Sequence, residues 1–145
     1  MPTGADPAPP PDVLVDTSVA VALVVGDHDH HDAVAAAVGA RRLGLAGHAA
    51  FETFSVLTRL PPPARRPASV VEQVLRSNFP ASRFLGSTDT SALLDRLAGL
   101  GIAGGAVYDA LVGAVSVAEN IPLVTRDTRA VEVYRALDVD FELIG

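Results

Sequence analysis

Val13-Leu14-Val15-Asp16-Thr17-Ser18 is a short apolar run that stops on a carboxylate and continues into a helical apolar pattern reaching Val25. Consecutive apolar residues without alternation suit a strand covered on both faces, as parallel strands are. Leu123-Val124-Thr125-Arg126-Asp127 has the same form: an apolar run, a hydroxyl residue and then an aspartate. Leu43 to Ala46 reads as a second strand and Asp140 to Ile144 as a closing one. Helical patterns fill the intervals at 18–25, 29–38, 49–60, 68–77, 91–100, 105–119 and 129–137, with a further strand expected near Phe84-Leu85. Pro61-Pro62-Pro63 ends the third helix, because proline lacks the N–H and clashes with the preceding turn. Short apolar strands alternating with helices predict an α/β fold whose central parallel sheet is covered on both faces. Sites in such folds form beyond the carboxyl ends of strands, where the strand order reverses. Asp16 and Asp127 hold positions of that kind.

The chain has 145 residues, the size of one domain. Hydrophobic residues make up 49% and the mean hydropathy is +0.33. No apolar run approaches the roughly 20 residues of a membrane span, so the excess belongs to a core or an interface. Residues 1–12 are rich in Pro and Ala and lack the regions of a signal peptide. They are expected to form a flexible tail ahead of a domain over 13–145. The absence of Cys excludes disulfides and thiolate metal sites and fits a cytoplasmic address. A net charge of -6 argues against a broad basic surface for nucleic acid. A local one stays open, since all 11 basic residues are Arg, whose forks suit phosphate oxygens. With no Lys, the P-loop and Schiff-base chemistry are excluded.

Four carboxylates stand in apolar settings. Asp16 and Asp127 follow strands, while Glu52 and Asp109 lie in the helical segments Ala49-Ala50-Phe51-Glu52 and Ala106-Val107-Tyr108-Asp109. Each has an ordinary explanation: Asp16 and Asp127 could cap the helices that follow them, and Glu52 and Asp109 could face solvent. Jointly, the four can converge at the carboxyl edge of a sheet. Like charges brought that close repel unless a cation neutralises them, and Mg²⁺ or Mn²⁺ prefers carboxylate and water oxygens. Such a centre can support attack on a phosphodiester.

These blocks carry a resemblance. Val13 to Ser18, Glu52-Thr53-Phe54-Ser55-Val56-Leu57-Thr58-Arg59-Leu60-Pro61, Tyr108-Asp109-Ala110-Leu111-Val112 and Leu123 to Asp127 resemble, in order and spacing, the PIN-domain family, and more narrowly its VapC-type toxins of toxin–antitoxin pairs. The resemblance implies a three-layer α/β/α domain and an Mg²⁺-dependent endoribonuclease. It implies Asp16 and Asp109 as direct metal ligands, with Glu52 and Asp127 holding waters or a second ion. Thr17, Ser18 and Thr125 would orient those groups. It also implies an RNA substrate such as tRNA or rRNA, a VapB-type antitoxin partner and a homodimer. Two other readings use the same residues: a PIN-type nuclease acting on DNA or in RNA processing, and a catalytically silent binding module.

Other features are weaker. Asp27-His28-Asp29-His30-His31-Asp32 is dense in metal-ligand types but has no helical His pair, so a cap from Asp27 or Asp29 with solvated histidines is expected. His48 could serve as an acid or base, or simply cap or pack. Pro61 to Pro67 reads as a linker. At 5% aromatic content no stacking platform for single strands is expected.

Overall fold

The computed structural model describes residues 8–145; residues 1–7, most of the expected tail, lie outside the described residues. Strands β1 (Val13–Val15), β2 (Leu43–Leu45), β3 (Leu123–Thr125) and β4 (Phe141–Leu143) form one parallel sheet in the order β2-β1-β3-β4. Seven helices connect them: α1 (Thr17–Val24), α2 (His31–Val38), α3 (His48–Thr58), α4 (Ala68–Asn78), α5 (Ser87–Leu100), α6 (Ala106–Glu119) and α7 (Val131–Ala136). No helix among the described residues is long and apolar enough to cross a membrane.

The alternation of side chains along the strands builds a core on each face of the sheet. Leu14 and Leu123 pack with Leu93, Ala110, Val115 and Tyr134 from α5, α6 and α7. Val13, Val15 and Val124 point the other way, onto Val19, Ala20, Val34 and Val38 of α1 and α2. The result is the three-layer α/β/α arrangement. The chain leaves β1 for β2 on one side and returns to β3 on the other, so the order reverses between β1 and β3. Asp16 and Asp127 follow the two strands that flank this switch point.

Three local expectations need correction. No strand forms at Phe84-Leu85. Instead residues 81–83 run along the edge of β2, with Ala81 N donating to Leu43 O at 3.3 Å and Arg83 N to Leu45 O at 3.1 Å. Gly44 permits that approach, since a Cβ there would stand 2.2 Å from the Ala81 carbonyl oxygen. Helix α5 starts at Ser87 rather than Ser91, because its polar first turn faces water and shows no apolar periodicity. Neither Asp27 nor Asp29 caps α2. Its N-cap is His30, which has no side-chain cap bond. The imidazole of His28 accepts from His30 N at 3.0 Å, beside the backbone bond from His31 N to His28 O at 3.0 Å. Within the expected tail, Asp12 is tied to the start of β2, its carboxylate accepting from Arg42 N at 2.7 Å.

Candidate active site

Asp16 ends β1 and caps α1, its Oδ1 accepting from Val19 N at 3.3 Å. It is almost fully buried, at 5% exposure, and that burial raises its pKa above the ordinary carboxylate value. Four donors oppose the effect. Ser18 Oγ and Val19 N serve Oδ1, while Thr125 Oγ1 and the Tyr134 hydroxyl, at 3.0 Å, serve Oδ2. The hydroxyls also join elements: Ser18 Oγ accepts from Arg126 N at 2.9 Å, and Thr125 Oγ1 accepts from Asp127 N at 3.0 Å. Asp16 is therefore both the helix cap and a member of the acidic group, two readings that the sequence had set against each other.

The other three acids are half-buried and reach the same place from different elements. Glu52 on α3 accepts from Thr17 Oγ1 at 3.2 Å and lies 3.3 Å from His48 Nε2, one turn earlier. Asp127 follows β3 and takes Arg129 N at 3.0 Å in a local turn, which delays α7 to Val131. Asp109 sits in the first turn of α6, and among the described residues no hydrogen-bond donor meets its carboxylate. With His48, Tyr108 and Arg129, these three acids line an open cleft of ≈ 670 Å³, with Asp16 beneath.

The charges in the cleft are unbalanced. Asp109 has its pKa raised from 3.8 to about 6, chiefly by burial and then by Asp127, Glu52 and Asp16, with Arg129 opposing. The Arg129 side chain is 92% exposed and its Nε stands 3.5 Å from Asp127, so it is a screened counter-charge. Among the described residues no three His, Asp or Glu groups stand close enough to form a ready-made ligand set. The donors are hard carboxylate oxygens on a concave, negative wall, which fits a small hard divalent cation and not a soft one.

Two contributors were missed in the sequence. Tyr134 reads as a core aromatic of a short helix, and it is a core residue at 1% exposure, yet its hydroxyl reaches Asp16. Gly113, one turn beyond Asp109 on α6, makes room for it. A Cβ at Gly113 would come within 3.0 Å of the Tyr134 ring and 3.1 Å of Val139. His48 neither caps nor simply packs: it begins α3, pairs with Glu52 and stacks on Tyr108.

The family model described as "PIN domain" matches residues 13–136. Ribonuclease VapC40 of Mycobacterium tuberculosis is 45% identical over 134 residues, covering 91% of this chain and 98% of that protein. Ribonuclease VapC27 of the same organism is 43% identical over 129 residues, covering 89% and 94%. Among solved structures, VapBC2 from Rickettsia felis, bound to a promoter DNA fragment, superposes with a TM-score of 0.65 at 15% identity, over 92% of this chain and 98% of that one.

Proposed function

The chain belongs to the PIN-domain family, and from that premise we propose that it is a metal-dependent endoribonuclease, the toxin of a VapBC-type pair. The observation that carries the reading is the convergence of Asp16, Glu52, Asp109 and Asp127 from four separate segments on one side of the switch point. Asp109 there has its proton affinity raised by burial first and then by the other three acids. Naming both relatives ribonucleases supports RNA as the substrate.

In this reading Asp16 and Asp109 would hold Mg²⁺ or Mn²⁺ directly, and Glu52 and Asp127 would complete the shell or hold a second ion. The cation, when bound, supplies a nucleophile at neutral pH and stabilises charge on the reacting phosphate. The residues of the chain do the positioning. Ser18, Thr125 and Tyr134 fix the Asp16 carboxylate, and Thr17 orients Glu52. His48 Nε2, 3.3 Å from Glu52, positions that carboxylate at the edge of the cleft. A cytoplasmic chain of this kind would act on tRNA or rRNA, pair with a VapB-type antitoxin and form a homodimer.

The test is cleavage of total RNA by the purified chain, with Mg²⁺ or Mn²⁺ and with EDTA, alongside single- and double-stranded DNA. RNA cleavage that needs the cation and disappears in Asp109→Asn supports the proposal. Cleavage of DNA in preference to RNA would move the chain to another PIN activity. Full cleavage in EDTA would remove the metal from the account.

A further inference from the structure

Aromatic residues are few, at 5% of the chain, but four aromatic rings gather at one rim of the acidic cleft. Tyr108 immediately precedes Asp109, and His48 and Phe51 share the start of α3 with Glu52. The His48 and Tyr108 rings stack, with centroids 5.0 Å apart and planes 18° from parallel. Phe51 meets Phe84 edge-on at 6.2 Å. Phe51, Phe84 and Tyr108 are 67%, 54% and 53% exposed, which places a contiguous aromatic surface in water beside the acids. The platform that composition argued against is present by clustering.

The stack of His48 on Tyr108 divides the acidic cleft from a second hollow of ≈ 380 Å³. Phe51, Glu52 and Arg59 also line this hollow. Arg59 gives its Nε to Ser55 Oγ at 3.3 Å, and among the described residues its two terminal nitrogens have no partner. A groove thus runs from the acids, over an aromatic partition, to a guanidinium.

That order matches a nucleic-acid strand. A phosphodiester reacting at the acids sets its neighbouring base against the nearest wall, and on this side the wall is Tyr108 and His48. A chain of net charge -6 with an acidic cleft repels phosphate unless a cation is bound, so a contribution independent of charge favours RNA binding. Stacking on an aromatic ring is such a contribution, and it accepts any base. The guanidinium beyond suits the next phosphate. A second copy of this chain fits less well, because Glu52, Arg59 and His48 interrupt the patch and charged groups are depleted in buried interface cores.

We infer that Tyr108, His48 and Phe51 form a subsite for an unpaired nucleobase next to the scissile phosphate, with Arg59 receiving the phosphate that follows. This rests on the ribonuclease reading and narrows it: the RNA must be single-stranded where it is cut, as in a loop, because a base held in a duplex cannot reach the stack.

The experiment is fluorescence anisotropy of a short fluorescein-labelled single-stranded RNA titrated with the whole chain in Ca²⁺ buffer, with cleavage in Mg²⁺ followed separately. Tyr108→Ala should weaken binding about tenfold. Tyr108→Leu should weaken it similarly, because it keeps bulk but no ring, whereas Tyr108→Phe should stay close to wild type. Equal affinity of Tyr108→Ala and wild type, in a chain that does cleave RNA, overturns the subsite alone. So does a change of oligomeric state in Tyr108→Ala or Phe51→Ala with RNA affinity unchanged, which would mark the patch as a contact between copies. A wild-type chain that neither binds nor cleaves RNA overturns the ribonuclease reading together with the subsite.

Discussion

The Tyr134 hydroxyl donates to Asp16 Oδ2 at 3.0 Å across 118 residues of sequence, joining the last helix to the first strand. Thr125 shares that oxygen, and Ser18 and Val19 hold the other. The carboxylate therefore has little freedom to turn. Tyr134→Phe keeps the ring and removes only the donor. Loss of a group that orients a metal-holding carboxylate costs about 10–100-fold in affinity or activity. Tyr134→Phe should lower cleavage by about tenfold and weaken Mn²⁺ binding measured by calorimetry to a similar extent, while remaining folded. Wild-type values for both would remove Tyr134 from the site.

Gly113 tests the same connection from the opposite side. A methyl group there would press on the Tyr134 ring and Val139 at 3.0 and 3.1 Å. Overpacking of this kind costs about 1–3 kcal/mol. Gly113→Ala should lower the melting temperature by several degrees and reduce cleavage at temperatures where the protein is still folded. A stable, fully active Gly113→Ala chain would show that α7 can shift without disturbing Asp16.

Two aspartates of one site should respond oppositely when mutated in EDTA. Asp109 has no donor among the described residues and three acids opposing its charge, so Asp109→Asn should raise the melting temperature. Asp16 carries the α1 cap, and Asp16→Ala should lower it, since loss of the cap alone costs about 0.5–2 kcal/mol of stability. Addition of Mg²⁺ should raise the melting temperature of wild type through binding linkage and have little effect on either variant. Thermal denaturation of the three proteins with and without Mg²⁺ decides the matter; a higher melting temperature for Asp16→Ala in EDTA would contradict the cap.

The pH dependence follows from Asp109. Its folded pKa of about 6 lies above the ordinary 3.8, so the folded state holds that proton more tightly than the unfolded chain. Between these values the folded state binds more protons, and stability in EDTA should fall as pH rises through the window. Asp109→Asn should reduce that slope. Cleavage at limiting Mg²⁺ should change in the opposite direction, rising as pH passes about 6, because the ionised carboxylate is the form a cation needs. A stability profile that climbs from pH 4 to 6 in wild type would reverse the assignment.

The four acids and the layers around them were legible because their signals are local. An apolar run ending on Asp16 or Asp127, and an acid in the apolar stripe of a helix, can each be read within a few residues. The contacts that complete the site are not local. Tyr134 resembles any core aromatic until the fold sets it beside Asp16, and Gly113 resembles any small residue in a buried helix. The edge segment at 81–83 has too short a pattern to register as a strand, and only the missing side chain of Gly44 lets it lie where it does. Composition is silent on the aromatic rim for a related reason: it counts rings, while stacking depends on where Tyr108 meets His48 and Phe51 meets Phe84.

All the strand pairings described are parallel, so no two neighbouring strands are joined by a hairpin and every pairing spans a long stretch of chain. During synthesis this sets the order in which the site can assemble. A growing chain that has released Asp16, Glu52 and Asp109 still lacks β3, Asp127 and the helix bearing Tyr134. Only when these have left the ribosome can β1 gain its second neighbour and the cleft close around its acids. The acidic cleft is therefore assembled only once the last quarter of the chain is available.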